Sequence, residues 1–311
     1  MPSPPAIYMA THAAGILNTK IGTAHRLLEQ CSLCPRQCGV NRTRGQTGVC
    51  GVGAEAVVYG FHPHFGEERP LVGSNGSGTI FFSHCNLLCN FCQNYEISHD
   101  GEGETVSDEQ LGMMMVALQR RGCHNINLVT PSHVVPQILG ALKVAITNGL
   151  TIPLVYNTSS YDQTETLGLL EGIIDIYMPD FKFWDAGIAE KTCGAGDYPL
   201  VARQALVEMH RQVGDLRLDD KGIARRGILL RHLVLPDNLA GTRDIMRFIA
   251  REISENTYVN IMPQYRPCGR AGETDGMDRP ITTDEFEAAL IAAKEEGITR
   301  LDQRKRVLMV G

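Results

Sequence analysis

Six short apolar segments, separated by amphipathic stretches, run through most of this 311-residue chain. They are rich in β-branched and aliphatic residues and alternate little between apolar and polar positions, which is typical of parallel strands covered on both faces. The segments span residues 79–85, 126–130, 153–157, 173–178, 228–235 and 258–262, with a further candidate strand at 306–310. Six strands are too few for a complete eight-unit barrel. The sequence therefore predicts an α/β fold, a partial (βα)6 TIM-like barrel.

Two helices between these strands have recognisable ends. Ser107 and Thr282 each precede a glutamine or glutamate by three positions, which is the pattern of a capping box. Gly122 and Gly297 are placed where each helix is expected to end.

The first 75 residues differ in composition from the predicted barrel domain at 76–311. A helical stretch at 19–30 leads into a segment rich in Gly, Arg and Cys and poor in large apolar side chains. Such a segment buries too little apolar surface to offset its ordering entropy. We therefore expect a metal or the main domain to order this N-terminal cysteine-rich extension.

The charge balance and the hydropathy argue against two classes of partner. With 29 basic and 35 acidic side chains the net charge is −6, which does not suit a protein that neutralises nucleic-acid phosphates. No apolar run approaches the roughly 20 residues of a membrane-spanning helix, and the N-terminus lacks the pattern of a secretion signal. We expect a cytoplasmic protein that binds neither nucleic acid nor a membrane.

Cysteine usage is unusual for a chain of this kind. There are ten cysteines, and seven of them lie within the first 92 residues. In a long chain without a secretion signal, clustered thiols indicate metal ligands rather than disulfides. Cys123, Cys193 and Cys268 are isolated, and an isolated cysteine is usually a small buried apolar residue.

Three of the clustered cysteines, Cys85, Cys89 and Cys92, form a C-x3-C-x2-C loop where the first candidate strand ends. Loops at the carboxyl ends of parallel strands carry the chemistry of α/β proteins. A saturated zinc or [4Fe–4S] site has four ligands, so three thiolates leave one iron of a cluster open. The alternative is a structural zinc site completed by His84 or His99.

The other four cysteines, Cys31, Cys34, Cys38 and Cys50, have the spacing C-x2-C-x3-C-x11-C. Glycines between them permit the tight turns that bring such ligands together. Four soft ligands suit tetrahedral zinc or a fully ligated iron–sulfur cluster. Structural zinc, a second cluster and redox-active thiols all remain open for this second site.

The three-cysteine loop, the repeated βα units and the aromatic Phe91 before the third cysteine together resemble the radical S-adenosylmethionine (SAM) superfamily. The chain is most similar to a branch of pyruvate formate-lyase activating-enzyme homologues with an N-terminal cysteine segment. The phrases HFGEERP, CNFCQNYEIS, NINLVTPSH, PDFKFW, LRHLVLP and MPQYRP carry this similarity. The resemblance implies that a [4Fe–4S] cluster on the loop binds SAM. It also implies reductive cleavage to methionine and a 5′-deoxyadenosyl radical, which takes a hydrogen atom from a substrate.

The resemblance also implies contacts to SAM at the ends of the second and third candidate strands. Thr130 and Ser132 occupy the place of a Gly-Gly-Glu stretch that grips the amino group of SAM, and this chain has no such glycine pair. Asn157 and Thr158 match a polar pair that holds the ribose, with Asn in place of Asp.

Three charged residues further along match the same pattern. Asp180 and Lys182 correspond to an Asp-x-Lys at the fourth strand, and Arg231 corresponds to an arginine that meets the SAM carboxylate. The alternative for Asp180 and Lys182 is a salt bridge that closes the barrel. An arginine within an apolar strand requires a partner in either case.

Other polar residues are placed to approach the same site. His62, His64, Glu67 and Glu68 precede the first strand, and this segment either folds over the site or is a solvated loop. Cys268 follows the sixth strand, where its thiol either relays a hydrogen atom or is simply buried.

Three functions are compatible with these features. The first is a radical SAM oxidoreductase that generates a radical on a protein or peptide partner, as the activating enzymes do. The second is radical modification of a small molecule, and the third is a non-enzymatic iron–sulfur electron carrier or zinc-stabilised binding module. The resemblance favours the first and implies a low-potential electron donor of the flavodoxin or ferredoxin type.

Overall fold

The structure is a computed structural model that describes residues 5–302. Its strands are β1 (Ala56–His64), β2 (Ser77–Phe82), β3 (Glu104–Val106), β4 (Ile126–Val129), β5 (Leu154–Thr158), β6 (Ile176–Pro179), β7 (Arg217–Leu218), β8 (Ala224–Leu233) and β9 (Tyr258–Met262). Its helices are α1 (Tyr8–Ala13), α2 (Ile16–Arg26), α3 (Arg69–Val72), α4 (Asp108–Arg120), α5 (Val135–Thr147), α6 (Thr164–Leu170), α7 (Ala186–Cys193), α8 (Tyr198–Val213), α9 (Thr242–Phe248) and α10 (Thr283–Glu295).

A mostly parallel sheet lies at the centre of the described chain. Strands β2, β4, β5, β6, β8 and β9 are neighbours in sequence order, and each pairs in parallel with the next. Strand β1 adds antiparallel to β2, β3 adds to β1, and β7 adds to β8. This arrangement confirms the predicted α/β class.

The six predicted strands are present with shifted ends. The last strand, Tyr258–Met262, has the bounds that were expected. The first was predicted to include Cys85 but ends at Phe82, since the chain turns into the left-handed region at His84 (φ +67°). Strand β8 begins four residues before the expected residue 228 because it also pairs with β7. The candidate strand at 306–310 lies outside the described residues.

Strand β1 was not predicted. Its nine residues contain Gly60, Pro63 and two histidines, and glycine and proline weaken a strand signal. The segment before residue 76 therefore contributes directly to the sheet, and residues such as Tyr8, Leu17 and Val58 belong to the main apolar core. The main domain supplies much of the order that we expected this extension to need.

Both expected capping boxes are present. The Ser107 hydroxyl accepts the backbone N–H of Gln110 at 3.2 Å, and the Gln110 amide oxygen accepts the N–H of Ser107 at 2.9 Å. Thr282 makes the same pair of bonds at the start of α10. Gly122 and Gly297 follow these helices at φ +87° and +95°, a conformation that glycine adopts without strain. Each cap stabilises its helix by about 1 kcal/mol.

The N-terminal helices pack at the edge where the parallel strands begin. The hydroxyl of Tyr8 donates to the carbonyl of Ile152 at 2.9 Å, and the backbone N–H of Ile7 donates to the Asp175 carboxylate at 2.8 Å. Both acceptors come directly before a strand of the sheet. The opposite edge, where the strands end, is left for the polar residues described below. Among residues 5–302, no helix combines the length and apolarity needed to span a bilayer.

Candidate functional site

A cavity of about 520 Å³ opens where the parallel strands end. Such a volume is within the range of small-molecule sites. Its walls include most of the residues predicted from sequence to form the site: Cys85, Cys89, Phe91, Cys92, Thr130, Asn157, Thr158, Asp180, Lys182 and Arg231. One loop and the ends of four different strands bring these side chains together.

Backbone hydrogen bonds fix the shape of the three-cysteine loop. Leu88 at φ +58° turns the chain between the first two cysteines, and the N–H of Cys92 donates to the carbonyl of Cys89 at 3.1 Å. The N–H of Asn90 donates to the carbonyl of Thr192 at 2.8 Å, which attaches the loop to the end of α7. The loop therefore presents its three thiols from a backbone that is held on two sides.

The three thiols are close enough to affect one another. Burial, with a smaller contribution from the neighbouring Cys89, raises the pKa of Cys85 to about 12. A hydrogen bond with Cys193, followed by burial, raises the pKa of Cys89 well above its ordinary value. Burial raises the pKa of Cys92 as well. All three are neutral thiols near pH 7, and a bound cation would be needed to ionise them.

The donor set on this loop fits an iron–sulfur cluster. Three thiols line one wall of a single cavity, and in a cluster each cysteine binds a different iron. Among residues 5–302, no three His, Cys, Asp or Glu side chains converge on one point that would hold a single metal ion.

A buried ion-pair network lines the same cavity as the thiols. The Asp180 carboxylate accepts from Nζ of Lys182 at 2.6 Å and from Nε of Arg231 at 2.6 Å. Burial works to raise the pKa of Asp180, but Arg231 and Lys182 outweigh it and hold that pKa below its ordinary value. Nη2 of Arg231 donates to the amide oxygen of Asn157 at 2.7 Å. The sequence left two alternatives for Asp180 and Lys182, a contact to SAM and a salt bridge. The structure contains the salt bridge, and both residues also line the cavity, so the two alternatives do not exclude each other.

The segment before α3 folds over this network. A Glu67 carboxylate oxygen lies 3.6 Å from Arg231, and Nδ1 of His64 lies 3.3 Å from the other oxygen. Glu68 is 1% exposed and accepts from Nδ2 of Asn260 at 2.6 Å. Burial raises the pKa of Glu68 despite the attraction of Arg231. These side chains line the cavity, so the expectation of a merely solvated loop is wrong for them.

Ser132 lies behind the cavity wall. It is 2% exposed, and its hydroxyl is 3.1 Å from the hydroxyl of Thr158. The Thr158 hydroxyl in turn donates to the Asp162 carboxylate at 2.5 Å, which also accepts from Tyr156 at 2.9 Å. Ser132 is therefore placed to support Thr158 from within the core.

Cys268 is half-buried and lies beside the cavity rather than among the residues found to line it. Tyr265 does line the cavity. Burial, with a smaller contribution from Cys268, raises its pKa to about 12. The ring of Tyr265 packs edge-on against Phe91 at 6.1 Å between centroids. The N–H of Arg270, two residues after Cys268, donates to the carbonyl of Asn90, so this segment contacts the three-cysteine loop directly.

The four-cysteine segment forms a second group of neighbouring thiols. Burial, with smaller contributions from Cys50 and Cys31, raises the pKa of Cys34 to about 12. The N–H of Val49 donates to Sγ of Cys38 at 3.3 Å. A Cβ at Gly48 would lie 2.6 Å from that sulfur, so only glycine fits there. Thiolates are the soft donors that zinc and iron–sulfur clusters take. As they are positioned here, however, these cysteines are not among any group of three side chains in residues 5–302 that would hold a single metal ion.

The two cysteine sites are joined by Arg36. Its guanidinium donates to the carbonyls of Asn86 at 2.9 Å and Leu87 at 3.2 Å, both within the three-cysteine loop. It also donates to the carbonyls of Cys193 at 2.8 Å and Gly194 at 2.5 Å, at the end of α7. One side chain thus fixes the loop, the helix end and the four-cysteine segment relative to one another.

The buried His133 should make the stability of the protein depend on pH. It is 1% exposed, a ring nitrogen lies 3.0 Å from the Ser83 carbonyl, and burial lowers its pKa to about 3. The folded state therefore binds fewer protons than the unfolded state between about pH 6.5 and 3, so stability should fall as the pH falls through this window. Once the pH is below both pKa values, the free energy of unfolding should have fallen by on the order of 4 kcal/mol. Urea unfolding at several pH values should show this slope, and His133→Gln should reduce it; an equal slope in both proteins would contradict the assignment.

No family model matches the chain. It is 31% identical over 288 residues to the uncharacterized protein MJ0674 of Methanocaldococcus jannaschii, covering 90% of this chain and 79% of that protein. The chain belongs to the family of this archaeal protein.

Several cavity residues were missed by sequence reasoning. Gln93, Gln264 and Arg266 are exposed and line the outer part of the cavity. Gln93 directly follows the third cysteine, and Gln264 and Arg266 follow β9. These positions in the sequence could have been used to predict that the three side chains line the cavity. Cys193 was taken as isolated, yet its sulfur lies 3.4 Å from that of Cys89.

Proposed function

We propose that this protein is a radical SAM oxidoreductase whose parallel sheet is a partial (βα)6 barrel. The observation that carries the proposal is that Cys85, Cys89 and Cys92 line one cavity together with polar and charged side chains from the ends of the parallel strands. When bound and reduced, a [4Fe–4S] cluster with an open iron supplies the electron that cleaves SAM to methionine and a 5′-deoxyadenosyl radical. The three thiols hold that cluster, and no fourth cysteine among residues 5–302 lines the cavity.

The charged network is suited to the polar ends of SAM. Arg231 presents a guanidinium to the cavity, and a guanidinium binds a carboxylate in a bidentate manner. Asn157 offers an amide for the ribose. The Thr158 hydroxyl already donates to Asp162 and accepts from the N–H of Ser160, so the sequence-based assignment of this hydroxyl to the ribose is not supported. Thr130 follows β4 at φ +59°, so its hydroxyl or carbonyl oxygen is the group from this strand that accepts from the ammonium group.

The remaining residues orient these groups and exclude water. Asp180 holds Arg231 and Lys182 in place through its two short ion pairs. Glu67 and Glu68 cover the network from the segment before α3. A dry site of fixed dipoles prevents quenching of a reactive intermediate.

We propose a protein or peptide partner as the hydrogen donor, with a low-potential donor of the flavodoxin or ferredoxin type, in the reducing cytoplasm. The experiment is anaerobic reconstitution, reduction with dithionite and incubation with SAM. We expect equal amounts of 5′-deoxyadenosine and methionine. A simple electron carrier would bind iron, take up an electron and form neither product. Deuterated candidate substrates that pass label into 5′-deoxyadenosine would distinguish a peptide donor from a small molecule.

We propose that the four-cysteine segment holds structural zinc once the metal draws its thiols together, which would fix the segment against the three-cysteine loop and the end of α7. Cys34→Ala should then remove one zinc ion per chain and lower the unfolding temperature while keeping SAM cleavage within about tenfold of wild type. Elemental analysis and a product assay on the same sample test this. Iron in place of zinc, or complete loss of cleavage with an intact three-cysteine cluster, would show that the segment is a second redox site.

A further inference from the structure

Cys193 is the last residue of α7 and contacts the three-cysteine loop from outside the cavity. Its sulfur lies 3.4 Å from Sγ of Cys89, and the residue is 5% exposed. Cys89 lines the cavity, whereas Cys193 is not among the described residues that do. Cys193 therefore lies behind Cys89, on the side away from the space where a cluster and a substrate would bind.

Several contacts fix the Cys193 sulfur in this position. The helix ends at Gly194 with φ +55°, and the carbonyl of Thr192 accepts from the N–H of Asn90 at 2.8 Å. The carbonyl of Cys193 accepts from Nη2 of Arg36 at 2.8 Å. The Cys89–Cys193 contact thus depends on hydrogen bonds that join α7, the loop and the four-cysteine segment.

A thiol in contact with a cluster ligand has a definite chemical role. Once Cys89 binds iron its sulfur is a thiolate and can only accept a hydrogen bond, so the neighbouring S–H is the donor. A donor to a ligand sulfur stabilises the more negative, reduced cluster and raises its reduction potential.

We propose that Cys193 is a positioning residue that donates a hydrogen bond to the Cys89 sulfur and thereby raises the reduction potential of the cluster. Arg36 holds the donor in place. The inference rests on the proposed function only in requiring a cluster on Cys85, Cys89 and Cys92.

The test compares the reconstituted wild type with Cys193→Ala and Cys193→Ser in a reductive titration followed by electron paramagnetic resonance. Removing the donor should lower the equilibrium constant for one-electron reduction by about tenfold, which corresponds to 59 mV. The serine variant keeps an O–H donor and should stay near the wild-type potential. Cys123→Ala removes another buried thiol, 3% exposed, and should leave the potential unchanged.

Three outcomes overturn the inference. An unchanged potential in Cys193→Ala would show that no hydrogen bond is made, and loss of iron from that variant would make Cys193 a ligand rather than a donor. A failure of a short bifunctional alkylating reagent to link Cys89 to Cys193 through two thioether bonds in the iron-free wild type would contradict their proximity without any use of the cluster. If instead the wild-type cluster forms and titrates as expected but SAM is not cleaved, the proposed function fails and this inference stands.

Discussion

Replacing Cys89 with alanine is expected to lower 5′-deoxyadenosine formation by at least about 100-fold, which exceeds the effect of losing an outer contact to a metal site. Cys89 is the middle cysteine of the loop and lines the cavity. Without its thiolate the loop retains two ligands, and an iron–sulfur cluster held by two cysteines is labile. The measurement is product formation per chain after anaerobic reconstitution, together with iron content and the electron paramagnetic resonance signal of the reduced protein.

Cys123→Ala is the matched control for this experiment. Cys123 is also buried, but it packs near Gly78 at the start of the sheet, at the opposite edge from the cavity. This variant should keep iron, signal and product at wild-type levels. Full SAM cleavage by the Cys89 variant would show that the loop does not hold the cluster.

Replacing Arg231 with glutamine is expected to reduce the free energy of unfolding by about 3–5 kcal/mol, because it leaves an uncompensated buried charge. Asp180 would keep Lys182 but lose its 2.6 Å partner, and Glu67 would lose the guanidinium 3.6 Å away. Denaturant unfolding measures the loss. Arg243→Gln, which removes exposed ion pairs at the surface of α9, is the control and should change stability little.

A double variant separates the two roles that the sequence left open for this network. Glu67→Gln combined with Arg231→Gln removes one charge of each sign, leaves the Asp180–Lys182 pair intact and should recover part of the lost stability. If Arg231 also binds the SAM carboxylate, the double variant should remain unable to bind SAM. Recovery of both stability and SAM binding would show that the network is only a salt bridge.

The sequence was sufficient for the features that depend on local pattern. Buried strands appear as short apolar runs, and capping boxes as a polar pair three residues apart. These patterns predicted the order of the six parallel strands and the helix starts at Ser107 and Thr282. Strand order also predicted that residues after different strands would meet at one edge. Asn157, Asp180 and Arg231 were assigned to one site through the resemblance to the radical SAM superfamily, and all three line the cavity.

The features that were missed depend on contacts between distant parts of the chain. Cys89 and Cys193 are 104 positions apart, and Arg36 reaches carbonyls as far as 158 positions away. Neither contact can be predicted from the composition of the chain or from the spacing of its residues. The same is true of Glu68 and Asn260, whose 2.6 Å hydrogen bond spans 192 positions. Ser132 is a subtler case, since a strand-end position does not reveal whether a hydroxyl points to the cavity or to the core.

The most direct test is electron-nuclear double resonance on the reduced protein mixed with labelled SAM. The SAM carries 17O in its carboxylate and 15N in its amino group, so the measurement shows whether these groups bind the proposed open iron of the cluster. Our account predicts strong coupling from both labels to the cluster held by Cys85, Cys89 and Cys92. A cluster signal that shows neither coupling, with four protein ligands accounted for, would contradict it.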